Sequence, residues 1–440
     1  MSLAEHAARA ITFSVGQTVV SKFLAAIQFA ILVRLLSTMD LGAIGLTAGY
    51  LSMLGLLVLS PENVFVRDFT RIRSRLHDYI SAFTLFAGIR TLALTIVAGG
   101  IGFFLVGSKD YSGLAIYFIL AAIASGISSF TGPFREAFYA NFSQGKIALV
   151  DLGTNVLQLL LFACVWYYPS LTTYGLVLIA GACIGAIGWY LTARKHLGYR
   201  FHLSKDWKKI IIDSIKDFTF WNQLSSMLLR ALYQADVIIL GFFVGLGALG
   251  DYTIALTIAN VFFVIPQLFQ KTFSVSFSRL RETNRLEHAL GLAVKYNSIF
   301  SIIQWAGFIL FLPWILAFFG PQHPETVAWY GMLIVSGVTL FNIARPWVAL
   351  MTVKSSQQRL FAELYVWQGV IAIIIYIVAA FLGGVERVAA ANIIVFGFAA
   401  LYTIHYATQK LRLVPRMSIW SPYEQNQLTK WLEGFKKAQR

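Results

Sequence analysis

Charge is scarce in this chain: only 12% of its 440 residues are Asp, Glu, Lys or Arg, against 58% hydrophobic and 15% aromatic. That balance excludes a water-soluble globule, because one core cannot bury so much apolar surface, and it makes a bilayer the solvent. Cysteine is nearly absent. Cys164 and Cys183 both fall inside apolar runs, which excludes a disulfide framework or a thiolate metal centre. The seven histidines lie in termini, loops or helix ends, and no two have the i, i+4 spacing of a helical metal site. A Gly-rich phosphate loop, a serine elbow and a carboxylate cluster are missing too, so no metal, cofactor or catalytic residue is expected, and the chain does not read as an enzyme. A cleavable leader is not expected either. The polar first ten residues precede an apolar stretch longer than a signal core, with no small-residue cleavage pattern, so the first helix is expected to be retained.

What the sequence has in abundance is apolar runs of about 20 residues or more, the length a helix rising 1.5 Å per residue needs to cross about 30 Å of hydrocarbon. They predict spans at 11–36, 41–61, 79–106, 112–131, 147–167 and 172–192, then at 217–244, 249–270, 288–317, 327–350, 361–381 and 388–407. The expected fold is an all-α integral membrane protein of about twelve transmembrane helices in two six-helix bundles, 1–193 and 217–407. A basic amphipathic connector at 194–216 joins them, and a cytoplasmic tail follows at 408–440. In that tail Leu428, Trp431, Leu432 and Phe435 fall at i, i+3, i+4 and i+7 beside Lys430, Lys436 and Lys437, the pattern of a helix lying on anionic lipid.

Basic residues orient the spans. With both termini cytoplasmic, 27 of the 35 Lys and Arg fall in cytoplasmic segments and only Lys109 and Arg387 in outside loops. The net charge of +15 therefore reads as the positive-inside rule at work and not as a nucleic-acid footprint. Outside loops such as 37–40 and 167–172 are a few residues long, which leaves no room for an extracytoplasmic domain.

An internal repeat is present. Leu41-Gly42 and Leu249-Gly250 each open a helix after a very short turn, at an offset of 208, and the same offset superposes Lys22 on Arg230. Arg135 and Arg345 follow at 210, and Asp151 and Glu363 at 212. Six spans per half keep the orientation, so the halves are expected to be parallel repeats about an axis along the membrane normal, with a cavity between them.

Six basic residues remain inside spans, where a charge costs about 2.5 to 3.5 kcal/mol unless it meets a partner or a watery cavity. Arg34 is near a helix end and can snorkel. Lys22, Arg90, Arg230, Lys295 and Arg345 are the candidate substrate-binding residues, because phosphate accepts charge-assisted hydrogen bonds from such groups. Ser14, Gln17, Ser21 and Gln28 make a polar stripe on the first helix, and Gln223, Ser226, Arg230 and Gln234 make one on the seventh; the two are expected to meet across the cavity. Asp236 is the deep acid, a candidate coupling group or charge partner, while Asp151 and Glu363 lie near cytoplasmic ends.

The stretch Val33-Arg34-Leu35-Leu36-Ser37-Thr38-Met39-Asp40-Leu41-Gly42-Ala43-Ile44-Gly45-Leu46 resembles the first-turn pattern of bacterial polysaccharide flippases. So do Asp236-Val237-Ile238-Ile239-Leu240-Gly241 and Leu249-Gly250-Asp251-Tyr252-Thr253-Ile254-Ala255. These belong to the O-antigen and exopolysaccharide transporter family, within the superfamily that includes multidrug and toxin extrusion proteins. The resemblance implies that superfamily's fold, a bacterial inner-membrane location and export of undecaprenyl-pyrophosphate-linked oligosaccharide by alternating access, for O-antigen, capsule or exopolysaccharide. It also implies membrane lipid, a polysaccharide polymerase and a chain-length regulator as partners. Multidrug members commonly carry a cation-coupling acid in the first helix, where this chain has Lys22 and no Asp or Glu. A multidrug-type or other amphiphile exporter is the first alternative; a membrane-embedded enzyme of polysaccharide assembly is the second, against which stands the want of a large outside loop.

Overall fold

The computed structural model describes residues 3–54, 61–65, 72–109, 111, 113–141, 143–215, 218–278, 280, 282–354 and 358–415. Among them no strand occurs, as hydrocarbon dictates: without water to bond N–H and C=O groups, a spanning segment must satisfy them within itself. The first half holds α1 (Leu3–Leu35), α2 (Thr38–Leu54), α3 (Leu76–Lys109), α4 (Gly113–Ser129), α5 (Gly132–Ala140), α6 (Gln144–Tyr167) and α7 (Leu171–Leu197). After a short connector helix, α8 (Trp207–Ile215), come α9 (Phe218–Phe243), α10 (Leu246–Ser278), α11 (Thr283–Phe319), α12 (Pro324–Ile343), α13 (Arg345–Lys354) and α14 (Gln358–Leu411). Eight stretches are long and apolar enough to cross a membrane, and the longest, Leu360–Leu411, contains two crossings. It is broken at Gly383 and Gly384, the latter at φ 61°, a left-handed conformation that favours glycine. With α2, α9 and α10 the helices make two sets of six. The tail helix expected around 428–437 lies outside the described residues.

Two expected spans run on into a second helix. The fourth ends at Ser129 and is followed, beyond its expected end, by α5, and the tenth breaks at Ile343 and continues as α13. Each second piece opens with a proline, Pro133 or Pro346, whose missing N–H and fixed φ suit a first turn. The hydroxyls of Ser129 and Thr131 close the first gap by donating to the carbonyls of Gly126 and Ser128, at 2.6 and 2.7 Å. The repeat thus extends to where its helices break.

All six short reversals, from Ser37 to Gly384, lie at one end of the helices, here termed the short-turn face; the other end is the basic face. Reciprocal bonds make the first reversal: Ser37 Oγ donates to Asp40 Oδ2 at 2.7 Å and accepts from the Asp40 N–H at 3.2 Å. Tyr111, in the next reversal, donates to the other Asp40 oxygen. Burial, then the hydrogen bond and charge of Asp40, push this phenol up to about 12, so it remains a donor. His323 meets Asp251 at 3.0 Å in the corresponding reversal of the second half.

Large apolar side chains face outward, among them Phe103, Leu149, Trp166 and Phe381, as a bilayer requires. Toward the short-turn face both halves share one apolar core, running through Leu41, Leu46, Leu171, Leu249, Tyr252 and Val338. Toward the basic face they separate, with Phe83, Phe134 and Tyr199 in one cluster and Leu290, Trp347 and Leu364 in another. The halves are joined at one face and parted at the other.

The joint is a crossing of α2 over α10. A Cβ at Gly42 would overlap the Leu246 carbonyl, and one at Gly250 would overlap the Thr38 carbonyl. Thr38 and Leu246 differ by the same 208 residues as Gly42 and Gly250, so the contact is its own image under the repeat. Gly45 against Thr253 and Gly241 against Leu46 extend it. Small residues let helix backbones meet where lipid supplies no hydrophobic drive between them. Replacing Gly250 with Leu should cost about 1–3 kcal/mol of the closed arrangement by overpacking. The expected result is faster labelling of a cysteine at Thr253 by an impermeant thiol reagent added at the short-turn face; an unchanged rate would count against this contact as the seal.

Candidate functional site

A cavity of about 690 Å³ lies in the first half, walled by α1, α2, α4, α5, α6 and α7. Its charged lining residues are Lys22, Arg135 and Asp151; the rest is hydroxyl, amide, aromatic and apolar. Lys22 is solvent-accessible and has no ion pair among the described residues. Arg135, on the short α5, reaches Asp151 at 3.0 Å, and Gln17 donates to the same carboxylate oxygen at 2.6 Å. Asn155 donates to Ser21 at 3.0 Å. The polar stripe of α1 is therefore met by α6 within its own half, which corrects the expectation that it faces the stripe of α9. Ser14, Gln223, Ser226 and Arg230 have side chains outside the described residues.

Thr47, on α2, belongs to the cavity wall and behaves unlike its neighbours. Thr84, Thr91, Thr154, Thr253, Thr339 and Thr408 each donate to the carbonyl four residues earlier. Thr47 is 1% exposed and its hydroxyl has no hydrogen-bond partner among the described residues. A buried unpaired polar group costs about 1–3 kcal/mol.

The other sequence-nominated cations do not gather in this cavity. Arg90, 8% exposed, stands 3.6 Å from the buried Glu62, so its charge is answered inside the protein. Burial pushes the Glu62 carboxyl up and the Arg90 charge pulls it back. Lys295 lies over the Tyr296 ring at 5.5 Å. Arg345 is buried in the second half and donates to Asn342 Oδ1 at 2.6 Å and Gln270 Oε1 at 2.9 Å, with Tyr233 at 3.5 Å. Phe341 lies 5.7 Å from its guanidinium. All these partners are neutral, so none of them cancels the charge.

Asp236 is buried and accepts from the Tyr252 hydroxyl and from the Val237 N–H. Tyr252 accepts from Asn392 at 3.0 Å, and Tyr376 donates to Asn392 at 2.9 Å. Its described partners are hydroxyl and amide, not the neighbouring base expected for a charge partner. Sequence reasoning missed Thr47 altogether and left Arg135 and Asp151 as repeat markers. The pairing of Arg135 with Asp151 follows from the break before α5, which the proline at 133 could have signalled.

Two sets of six apolar helices joined at one face, with a polar cavity opening beside them, define a multi-pass membrane protein. The chain matches the polysaccharide biosynthesis protein family over residues 7–266 and belongs to that family. Among curated proteins none matches it significantly. It is similar in structure to an inward-facing multidrug resistance MATE family transporter of the MOP superfamily, at 14% identity, covering 89% of this chain and 94% of that one with a TM-score of 0.70. The lipid II flippase MurJ in an inward closed conformation matches at 14% identity, 92% and 88% coverage and a TM-score of 0.66. An outward-facing multidrug resistance MATE family transporter of the MOP superfamily matches at 14% identity, 92% and 94% coverage and a TM-score of 0.58.

In this arrangement Arg90 is held by Glu62. Arg90→Met alone should destabilise the fold by about 3–5 kcal/mol, as expected when a buried pair loses one member. Adding Glu62→Leu should recover much of it in thermal unfolding of detergent-purified protein. Undiminished stability in the single variant with transport lost would instead make Arg90 a cargo contact.

Proposed function

We propose that this protein is a flippase that carries undecaprenyl-pyrophosphate-linked oligosaccharide units across the bacterial inner membrane for O-antigen, capsule or exopolysaccharide assembly. The observation that carries the reading is a cationic, solvent-accessible cavity in a member of a polysaccharide biosynthesis family. Lys22 and Arg135 offer charge-assisted hydrogen bonds to the phosphates, and the tail stays in lipid. The basic face is cytoplasmic by the positive-inside rule, with both termini there, so the arrangement joined at the short-turn face is the loading state. Residues 194–216 connect the halves. Arg345, and Arg230 at the place equivalent to Lys22, are second-half phosphate contacts, which Lys295 and Arg90 would join only after rearrangement. A polymerase and a chain-length regulator receive the product.

Export of cationic drugs is the competing reading, favoured by the likeness to multidrug transporters alone. A cavity whose unpaired charge is Lys22 repels such cargo. Lys22→Ala and Arg135→Ala should each cut complementation of a flippase-deficient strain by about tenfold or more, the worth of a charged hydrogen bond, with membrane abundance unchanged. Full activity in both would remove the cationic part of the reading. Deletion of the gene should cause an undecaprenyl-linked intermediate to accumulate, and its sugars would identify the cargo.

Asp236 is the group through which ion coupling would act. Asp236→Asn preserves the acceptor for Tyr252 while removing the titratable charge. It should abolish net flipping driven by an ion gradient in proteoliposomes while leaving lipid-substrate binding intact; gradient-driven flipping at the normal rate would assign Asp236 a structural role.

A further inference from the structure

We propose that the end of the cavity nearest the short-turn face is a subsite for a neutral sugar, with the Thr47 hydroxyl as one of its contacts, and that the pyrophosphate stays nearer the basic face. The proposal deepens the flippase reading above and rests on it. Helix register orders the wall by depth. Tyr117 and Tyr174 stand about one turn from the short-turn ends of α4 and α7, and Thr47 and Gln158 about two and a half turns from those of α2 and α6. Lys22 lies more than three turns below the short-turn end of α1, and Arg135 and Asp151 sit toward the basic face. The charged lining therefore begins at mid-depth, and the closed end is uncharged.

A tethered cargo matches that order. Its polyprenyl tail must remain in hydrocarbon, which holds the pyrophosphate at headgroup depth on the loading side, and the sugars beyond the phosphate are the part that reaches the closed end. There they meet an unpartnered buried hydroxyl, the Gln158 amide and the stacked rings of Tyr117 and Tyr174, with centroids 5.8 Å apart. Hydroxyl and amide groups that can both donate and accept are what a hexose or N-acetylhexosamine requires. The Thr47 hydroxyl is no general feature of the fold: the repeat places Ala255 at its equivalent in the second half. A site built to bond a sugar hydroxyl discriminates by leaving its own group unpaired when the hydroxyl is missing.

The test compares two probes on the full-length protein in nanodiscs: polyprenyl pyrophosphate without sugar, and the same lipid carrying one neutral hexose or N-acetylhexosamine. Wild type should bind the sugar-bearing lipid more tightly. Thr47→Val, nearly isosteric, should weaken that lipid by about three- to tenfold, the worth of one neutral hydrogen bond, and leave the bare lipid unchanged. Gln158→Met is a second variant with the same expected selectivity, should Thr47→Val fold poorly. Arg135→Gln should weaken both probes alike. Equal binding of both lipids by wild type, or equal loss of both in the Thr47 and Gln158 variants, would overturn the sugar subsite while leaving the flippase reading in place. Binding of neither lipid by wild type would overturn the flippase reading and the subsite together.

Discussion

The approach of α2 to α10, where Gly42 and Gly250 each lie against a carbonyl of the other helix, is the constraint on which the rest of the molecule depends. It holds the halves together at the short-turn face, and everything away from it is free to part. The single core near the crossing and the two separate cores beyond it follow from that one contact. On the flippase reading the joint must be firm in one state and separable in another, because packed interfaces switch between discrete arrangements. Polar groups can then be concentrated on one side of the joint, in the first-half cavity.

Charge is handled differently in the two halves although the repeat places basic residues at matching points. Arg135 is paired to a carboxylate that also accepts from Gln17, whereas the described partners of Arg345 are neutral groups. The most deeply buried described acid of the second half, Asp236, is met by a phenol and an amide network. Matching scaffolds thus carry different side chains: the first half lines a polar cavity, and the second holds a buried chain of polar groups.

Much of the fold was legible in the sequence because the bilayer imposes a coarse rule: each apolar run of about 20 residues is a span, and all twelve correspond to observed helices or arms. The repeat was legible for a sharper reason. Leu41-Gly42 and Leu249-Gly250 mark the crossing itself, where only glycine fits. The site was less legible. A basic residue inside an apolar run signals a cost that must be met, but not by what; for Arg90 the answer is Glu62, which lies just beyond the second expected span and so escaped the search for acids within spans. The stripe on α1 was correctly seen as polar and wrongly assigned a partner, since helical periodicity says which residues share a face and not which helix that face meets. Thr47 carries no sequence signal, because a threonine in a helix ordinarily satisfies itself.

The mutual contact at the crossing also binds the two halves of the gene. Because Gly42 touches the turn that the second copy provides and Gly250 the turn that the first provides, neither copy is free to drift there alone: a larger side chain in one must be matched by a retreat of the backbone in the other. Elsewhere the halves can lose their likeness, as Thr47 and Ala255 have done. At this one point a duplicated sequence is held to its ancestry by steric necessity.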